Sequence, residues 1–342
     1  MSADISLETL RRHWWVAGTS AELARRPIAR TVLGTPLALF RTAGKAAALL
    51  DRCPHRNAPL SHGKIVEGLI ECPYHGWAFD GAGECRRIPG MPGACEHRHQ
   101  HATAVGVAER DGLVWVRLGE GDAELPPRRH VAPDDARYDT MLWPATVDCA
   151  LIDGMENLLD ACHPHFAHAG LVRRAAKRRT VEVTVRRTAE MAEAVYREDG
   201  VPDGLIPRLL EGARATSIGR FFPPGTAQLE HAGPKGTQFL LTAHFTPCDE
   251  RRVLIHSFIS TPRKLAPAWL KRIALRVVFG RVLKQDQTVL RMQQANIDRF
   301  GGAEFTSTPL DVMRPHILYF LRRSGENSPP AAHYEATLTM EL

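Results

Sequence analysis

Two short segments place thiols and imidazoles at matched spacing. They are Cys53-Pro54-His55 and, after sixteen intervening residues, Cys72-Pro73-Tyr74-His75. Two thiolates and two imidazoles suit zinc, for which Cys₂His₂ is a common structural set. The local detail favours iron and sulfide instead. Each Cys–His pair sits in a tight loop stiffened by a proline, so each loop offers one ligand to each of two metal ions, as a two-iron, two-sulfide centre with mixed His and Cys ligation requires. Gly76-Trp77 follows the second loop, and Phe79 to Gly83 then turns, where a zinc finger would continue into a helix. A zinc ribbon is the alternative. The other five cysteines, Cys85, Cys95, Cys149, Cys162 and Cys248, are expected to fill space. His97, His99 and His101 lack a Cys or carboxylate at ligand spacing and read as exposed surface.

A second set lies in Glu156-Asn157-Leu158-Leu159-Asp160-Ala161-Cys162-His163-Pro164-His165-Phe166-Ala167-His168. On a straight helix Asp160 and His163 stand about 60° apart, but His163 and His168 about 140°, so the two imidazoles do not converge. Pro164 removes the hydrogen bond back to Asp160 and kinks or ends the helix there, which lets His163 and His168 turn onto one point. The alternative is a histidine-rich helix end that favours the helix dipole. A third candidate ligand comes late. Ala266 to Phe300 reads as one long helix with an apolar stripe at Leu270, Ala274, Val278 and Val282, resuming at Val289 and Ile297, and Asp286 falls on that stripe. A carboxylate facing a core pairs or binds metal. Two His plus one carboxylate, with positions left open, form the facial triad of non-haem Fe(II) oxygenases. Pattern alone does not rank Asp160 against Asp286, and a salt bridge from Asp286 to Arg281 or Arg291 is the structural alternative.

The elements that must position these groups fall into two textures. Residues 31–118 read as short strands (Leu37–Phe40, Ala47–Leu50, Lys64–Glu71, Gly112–Leu118) broken by turns such as Asp80-Gly81-Ala82-Gly83, a small all-β unit. Gly119 to Asp135, with Pro126, Pro127 and Pro133, reads as a linker or crossing loop. Beyond it, helical segments near 151–169 and 266–300 bracket a β-rich stretch from about 180 to 260, which is α+β texture.

With 342 residues, about two domains are expected. At 44% hydrophobic and 24% charged, the composition is that of a globular protein and excludes collagen, coiled coil and intrinsic disorder. No 18-residue uncharged apolar run exists, so no membrane span is expected, and Asp4 and Glu8 argue against a secretory signal. An odd count of seven cysteines argues against a disulfide framework, which points to a reducing cytoplasm. The net charge of +6 gathers in two clusters, Arg173, Arg174, Lys177, Arg178, Arg179 and Lys271, Arg272, Arg276, Arg281, Lys284. They read as solvated faces, with docking of an acidic redox partner as the alternative. Nucleic acid is not expected, because no stacking aromatics are interleaved.

Cys53-Pro-His-Arg-Asn-Ala-Pro-Leu with Cys72-Pro-Tyr-His-Gly-Trp closely resembles the Rieske family. Together with the D-x-x-H-x-x-x-x-H segment and the late Asp, the chain resembles the catalytic α subunits of Rieske non-haem iron oxygenases over nearly its whole length. It looks most like the vanillate O-demethylase and dicamba monooxygenase branch, with features of the pheophorbide and chlorophyllide oxygenase branch. The resemblance implies an N-terminal all-β Rieske [2Fe–2S] domain over 1–122 and a C-terminal α+β domain, an antiparallel sheet with helices, over 123–342. It implies that Cys53 and Cys72 hold one iron and His55 and His75 the other. His163, His168 and Asp286 would hold a mononuclear Fe(II), and Asn157 would line that site. Asp160 would link His163 to the partner subunit's His75 in a head-to-tail homotrimer. Lys284-Gln285-Asp286-Gln287 departs from the Glu-Asp pair common in the family.

The expected reaction is hydroxylation of a small aromatic or heterocyclic substrate, or its oxidative O- or N-demethylation. It would use O₂ and electrons passed from NAD(P)H by a separate reductase, with or without a ferredoxin. A cis-dihydroxylating dioxygenase and an electron-transfer Rieske protein are the competing readings. Phe221, Phe222, Phe239, His244, Phe245 and His256 are pocket candidates, most of them better suited to core or strand-face positions. The basic balance would suit an acidic substrate such as a benzoate, although net charge describes the surface and not a pocket.

Overall fold

The computed structural model describes residues 5–24, 26–91, 98–121, 124–131, 135–172, 178–200, 214–234, 236–263, 267–325 and 333–342. The chain divides into two compact units, one of Leu7–Pro127 with Thr246–Asp249 and the other of the remainder.

The first unit is built from short antiparallel strands in three sheets. One contains β1 (Trp15–Thr19), β9 (Gly106–Arg110) and β10 (Leu113–Arg117), and a second β2 (Ile28–Val32), β3 (Thr35–Thr42) and β4 (Lys45–Leu50). The third is a meander of β5 (Lys64–Val66), β6 (Leu69–Glu71), β7 (Ala78–Phe79) and β8 (Cys85–Arg87). Phe40, Leu49, Leu60, Ile70 and Phe79 form its core, and Cys53 and Cys72 are buried in the same cluster. The two Cys loops close in the same way. The amide of Asn57 donates to Cys53 O (2.8 Å) and that of Gly76 to Cys72 O (3.1 Å), while Cys53 N donates to Ala58 O (2.9 Å) and Cys72 N to Trp77 O (2.8 Å). That closure needs a left-handed residue at the fourth position after each cysteine. Asn57 (φ 60°) and Gly76 (φ 71°) are the residue types that adopt it at least cost.

The second unit is dominated by an eight-stranded antiparallel sheet in the order β11-β17-β16-β15-β14-β13-β12-β18. Its strands are β11 (Tyr138–Val147), β12 (Thr180–Arg187), β13 (Ala192–Gly200), β14 (Arg214–Phe222), β15 (Thr226–Gly233), β16 (Gly236–Pro247), β17 (Val253–Pro262) and β18 (Tyr334–Glu341). Side chains alternate between its faces. On one face Arg220 donates to Glu193 (3.0 Å), Gln228 (2.9 Å) and Glu230 (2.7 Å) across three strands. On the other face stand apolar and small residues, over which helices α1 (Leu151–Leu159), α2 (Ala268–Arg299) and α3 (Arg314–Arg322) complete the unit.

Two expectations change here. Helix α1 does not run through to Pro164. It ends at Leu159, with Asp160 already extended (φ −76°, ψ 126°). The Asp160 carboxylate competes for backbone donors, accepting from Cys162 N (2.7 Å) and His163 N (3.1 Å), and so starts a 3₁₀ turn at His163–His165. Pro164 sits inside that turn, where its missing N–H costs nothing. The stripe of α2 is also shifted in phase. Leu275 and Leu290 are its buried residues, with Phe279, Val282 and Asp286 partly buried between them, whereas Leu270, Ala274 and Val289 are exposed. Ala266 lies outside the described residues.

Gly76→Ala forces a Cβ into left-handed backbone and 2.9 Å from Pro89 Cγ. It is expected to cost about 1–2 kcal/mol, measured by denaturant unfolding, and to lower the visible absorbance per chain from iron and sulfide bound at the paired loops.

Candidate active site

Asp286 Oδ1 lies 3.0 Å from His168 Nε2 and 3.6 Å from His163 Nε2. The ligand atoms of all three residues fall within 4.8 Å of one another. His168 Nε2 and Asp286 Oδ1 are both buried and neither makes a hydrogen bond. Polar atoms are left so inside a protein only when something else satisfies them. Burial alone would raise the Asp286 carboxyl, but His163 and His168 hold it below its ordinary value. Burial alone would lower His163, yet Asp160 and Asp286 raise it to about 9. Without a metal, a proton on His163 supplies the positive charge that these carboxylates demand. Two imidazoles and one carboxylate converging by buried lone pairs fit a divalent metal of the iron type.

The geometry separates the two acids. Asp286 faces the Nε2 atoms of both imidazoles, while Asp160 Oδ2 faces His163 Nδ1, 3.4 Å away on the other side of the ring. Arg291 reaches Asp148 instead (3.6 Å), so the Arg291 form of the structural alternative for Asp286 falls away.

Helix α2 is fixed around Asp286 by its immediate neighbours. Gln285 Oε1 meets His168 Nδ1 at 2.9 Å, and an amide oxygen only accepts, so Nδ1 carries the proton and Nε2 keeps its lone pair for the site. Gln287 Nε2 donates to Thr146 O of β11 (2.8 Å). Further along, Lys271 pairs with Asp139 of β11, so this residue of the basic cluster is not solvated surface. Phe279 stacks on Phe239 of β16 (5.3 Å between centroids). Helix α1 is held from the other side, where Arg314 of α3 donates to Asp153 (3.0 Å) and to Glu156. Gly154 lets α1 approach the sheet, since a Cβ there would already sit 3.4 Å from Phe245 Cε1 of β16.

Between the sheet, α1 and α2 lies a cavity of about 230 Å³ that includes Asn157, Asp160, His163, His168 and Asp286 in its wall. Its lining is otherwise almost wholly apolar. Of the six pocket candidates read from sequence, Phe239 and Phe245 line it, and Phe221, Phe222, His244 and His256 do not. Tyr196, Ser217, His231 and Trp143 line it without having been singled out, because which strand positions share a row depends on register, and register leaves no local signal. A second cavity of about 270 Å³ shares Asn157, Asp160 and His163, and adds Asp153, Glu156 and Asp311.

In the first unit, the His55 and His75 rings lie 4.5 Å apart, and His55 stacks on Trp77 at 4.8 Å. His55 Nδ1 is buried without a hydrogen-bond partner, and burial beside Cys72 pushes the Cys53 thiol up to about 11. Thiols so placed ionise only beside a cation, which fits an iron–sulfide cluster shared by the two loops. Cys85 and Cys149 are buried space-fillers, and Cys162 and Cys248 are half-buried. Cys95, His97, Arg173, Arg174 and Lys177 lie outside the described residues. His99 is exposed and His101 half-buried.

The family model for the Rieske [2Fe-2S] domain matches residues 13–110, and that for the vanillate O-demethylase oxygenase C-terminal domain matches 147–314. The chain is 36% identical over 210 residues to the dicamba O-demethylase oxygenase component of Stenotrophomonas maltophilia, covering 60% of this chain and 61% of that one. It is 39% identical over 166 residues to chlorophyllide a oxygenase of Chlamydomonas reinhardtii, 47% of this chain and 25% of that one. Against methylxanthine N1-demethylase of Pseudomonas putida the identity is 31% over 170 residues, 48% of each. These matches thus span less than two thirds of the curated relatives' lengths. Among solved structures, dicamba monooxygenase bound to 3,6-dichlorosalicylic acid superposes with a TM-score of 0.80 at 26% identity, covering 92% of this chain and 97% of that one.

Two outcomes follow from the metal-site geometry. His163 is raised from 6.5 to about 9 in the metal-free fold, so its contribution to stability is complete below pH 6.5 and lost as pH rises through 9. Thermal melts of metal-free protein should show that loss, while Fe(II) affinity, measured by chelator competition, tightens over the same range as the bound proton is displaced. Gln285→Leu should weaken Fe(II) binding by about 10–100-fold in the same competition, and Gln285→Glu should restore it.

Proposed function

We propose that this chain, which matches both the Rieske [2Fe-2S] domain and the vanillate O-demethylase oxygenase C-terminal domain, is a Rieske oxygenase component that hydroxylates, or oxidatively O- or N-demethylates, a small aromatic or heterocyclic molecule. The observation that carries this reading is the buried convergence of His163, His168 and Asp286 beside an apolar cavity, in a chain that also holds the paired Cys–His loops. Its functional parts are residues 1–122, which take up electrons, and 123–342, which bind substrate.

When bound, a mononuclear Fe(II) at His163, His168 and Asp286 supplies O₂ activation. Cys53, Cys72, His55 and His75 would hold a [2Fe–2S] cluster that would supply electrons delivered from NAD(P)H by a separate reductase, with or without a ferredoxin. Demethylation balances as R–OCH₃ + O₂ + NAD(P)H + H⁺ giving R–OH, formaldehyde, NAD(P)⁺ and water. The protein's own part is placement. The apolar wall excludes water and holds the substrate's methyl or ring carbon toward the triad. Asp160, held by one backbone amide at each carboxylate oxygen, turns Oδ2 toward His163 Nδ1 and orients that imidazole. Asn157 lies one helical turn earlier on the same wall.

Assembly follows from exposed apolar surface. Trp269, Ile273 and Val277 recur every four residues along α2, and Phe166 beside the triad segment and Tyr74 beside His75 are each about two-thirds exposed. We read these as surfaces that neighbouring copies cover in a homotrimer, with the partner subunit's His75 approaching Asp160. No helix among the described residues is long and apolar enough to cross a membrane, and the odd count of seven cysteines suits a reducing, cytoplasmic setting.

Anaerobically reconstituted protein is expected to hold three irons and two acid-labile sulfides per chain and, with a reductase, to release formaldehyde from methoxylated or N-methylated aromatics. Two irons to two sulfides, unchanged in Asp286→Ala, would leave an electron carrier, and a cis-diol product would make it a dioxygenase. Asp160→Asn should keep all three irons and lose most turnover.

A further inference from the structure

Resting on the oxygenase reading, we infer that the cavity selects an uncharged, flat molecule of one or two rings carrying one hydrogen-bonding group, and discriminates against arylcarboxylates and arylsulfonates. The sheet wall carries the first part of the argument. Tyr196, Ser217, His231 and Phe239 stand directly opposite one another on four successive strands, so they form one row on the cavity face. The next row is Gly219, Leu229 and Leu241. The ion cluster of Arg220 with Glu193 and Glu230 is on the opposite face.

Charge supplies the second part. Among the described residues no Lys or Arg lines the cavity, and its charged side chains are Asp160 and Asp286 alone. Two carboxylates balance the charge of a divalent iron, so no surplus positive charge is left to meet an anion. A carboxylate or sulfonate brought into such a wall loses its hydration without a partner, whereas a neutral ring does not. This sets the pocket apart from what the chain's overall charge of +6 suggests.

Shape and polarity supply the third. The cavity measures about 230 Å³. A dry cavity of roughly 150 Å³ takes benzene, so there is room for one or two rings and not for a macrocycle. His231 stacks on Phe239 (5.5 Å between centroids), which stacks in turn on Phe279 (5.3 Å), giving an aromatic face for a planar ligand. On that face the Ser217–His231 pair, joined at 3.1 Å beside Tyr196 in the same row, is a polar feature that a carbonyl, amide or ring N–H would meet.

The test is binding, not turnover. Calorimetric titration of the anaerobic, iron-loaded protein compares 4-methoxybenzamide, anisole and 4-methoxybenzoate. The amide is expected to bind at least tenfold more tightly than the carboxylate. His231→Gln should cut the amide's affinity several-fold while leaving that of anisole, and His231→Arg, checked by its melting temperature, should move the preference toward the carboxylate. Equal or tighter binding of the carboxylate by the unaltered protein, or no binding of either neutral probe, overturns the inference. Failure of the oxygenase reading is seen separately, as iron and sulfide in a 2:2 ratio, whatever the binding preference.

Discussion

A carboxylate oxygen and an imidazole nitrogen cannot face each other, buried and 3.0 Å apart without a hydrogen bond, unless positive charge lies between them. Asp286 and His168 stand in that relation, with His163 closing the third side. A proton on His163 meets the demand partly, because it does not lie between His168 and Asp286. A divalent metal meets it for all three at once. The surrounding structure is best understood as what holds these atoms in an arrangement they would otherwise escape by rotating apart.

Three consecutive residues of α2 do much of that holding. Gln285 fixes the ring orientation of His168, Asp286 supplies the carboxylate, and Gln287 ties the helix to the Thr146 carbonyl. Because these side chains point roughly 100° apart around the helix, the helix is prevented from rolling or sliding at the position where its carboxylate is needed. On the other side, Asp160 grips the start of the 3₁₀ turn by two backbone amides, and Arg314 clamps α1 through Asp153 and Glu156. The buried ion network is costly in desolvation, but it places α1 with a precision that apolar packing alone would not give.

What could be read from sequence was local chemistry. The Cys–His loops announce their closure through Asn57 and Gly76, and Asp160, His163 and His168 announce themselves by type within a single segment. The long helix was legible, but the phase of its stripe was not. Leu270, Ala274 and Val289 are apolar yet exposed, so hydrophobicity alone pointed to the wrong side of the helix by about one residue. The end of α1 was misplaced because a proline is a loud signal and an aspartate capturing two amides is a quiet one. The polar row of the cavity was illegible in principle. Tyr196, Ser217, His231 and Phe239 are spread over more than forty residues and meet only through strand register.

The wall that carries Asn157, Asp160 and His163 is shared by two cavities of opposite character. On one side the lining is apolar and aromatic; on the other it is acidic, with Asp153, Glu156 and Asp311. Burial raises the Glu156 carboxyl from its ordinary value, although Arg314 beside it pulls the other way. Under the oxygenase reading, chemistry at the triad would need dry surroundings for substrate and a supply of protons, requirements that conflict within one chamber. Dividing them across a wall one residue thick resolves the conflict, because His163 presents Nε2 to the dry side and Nδ1 toward Asp160. His163, which lines both cavities, stands at the boundary between the apolar and the acidic space.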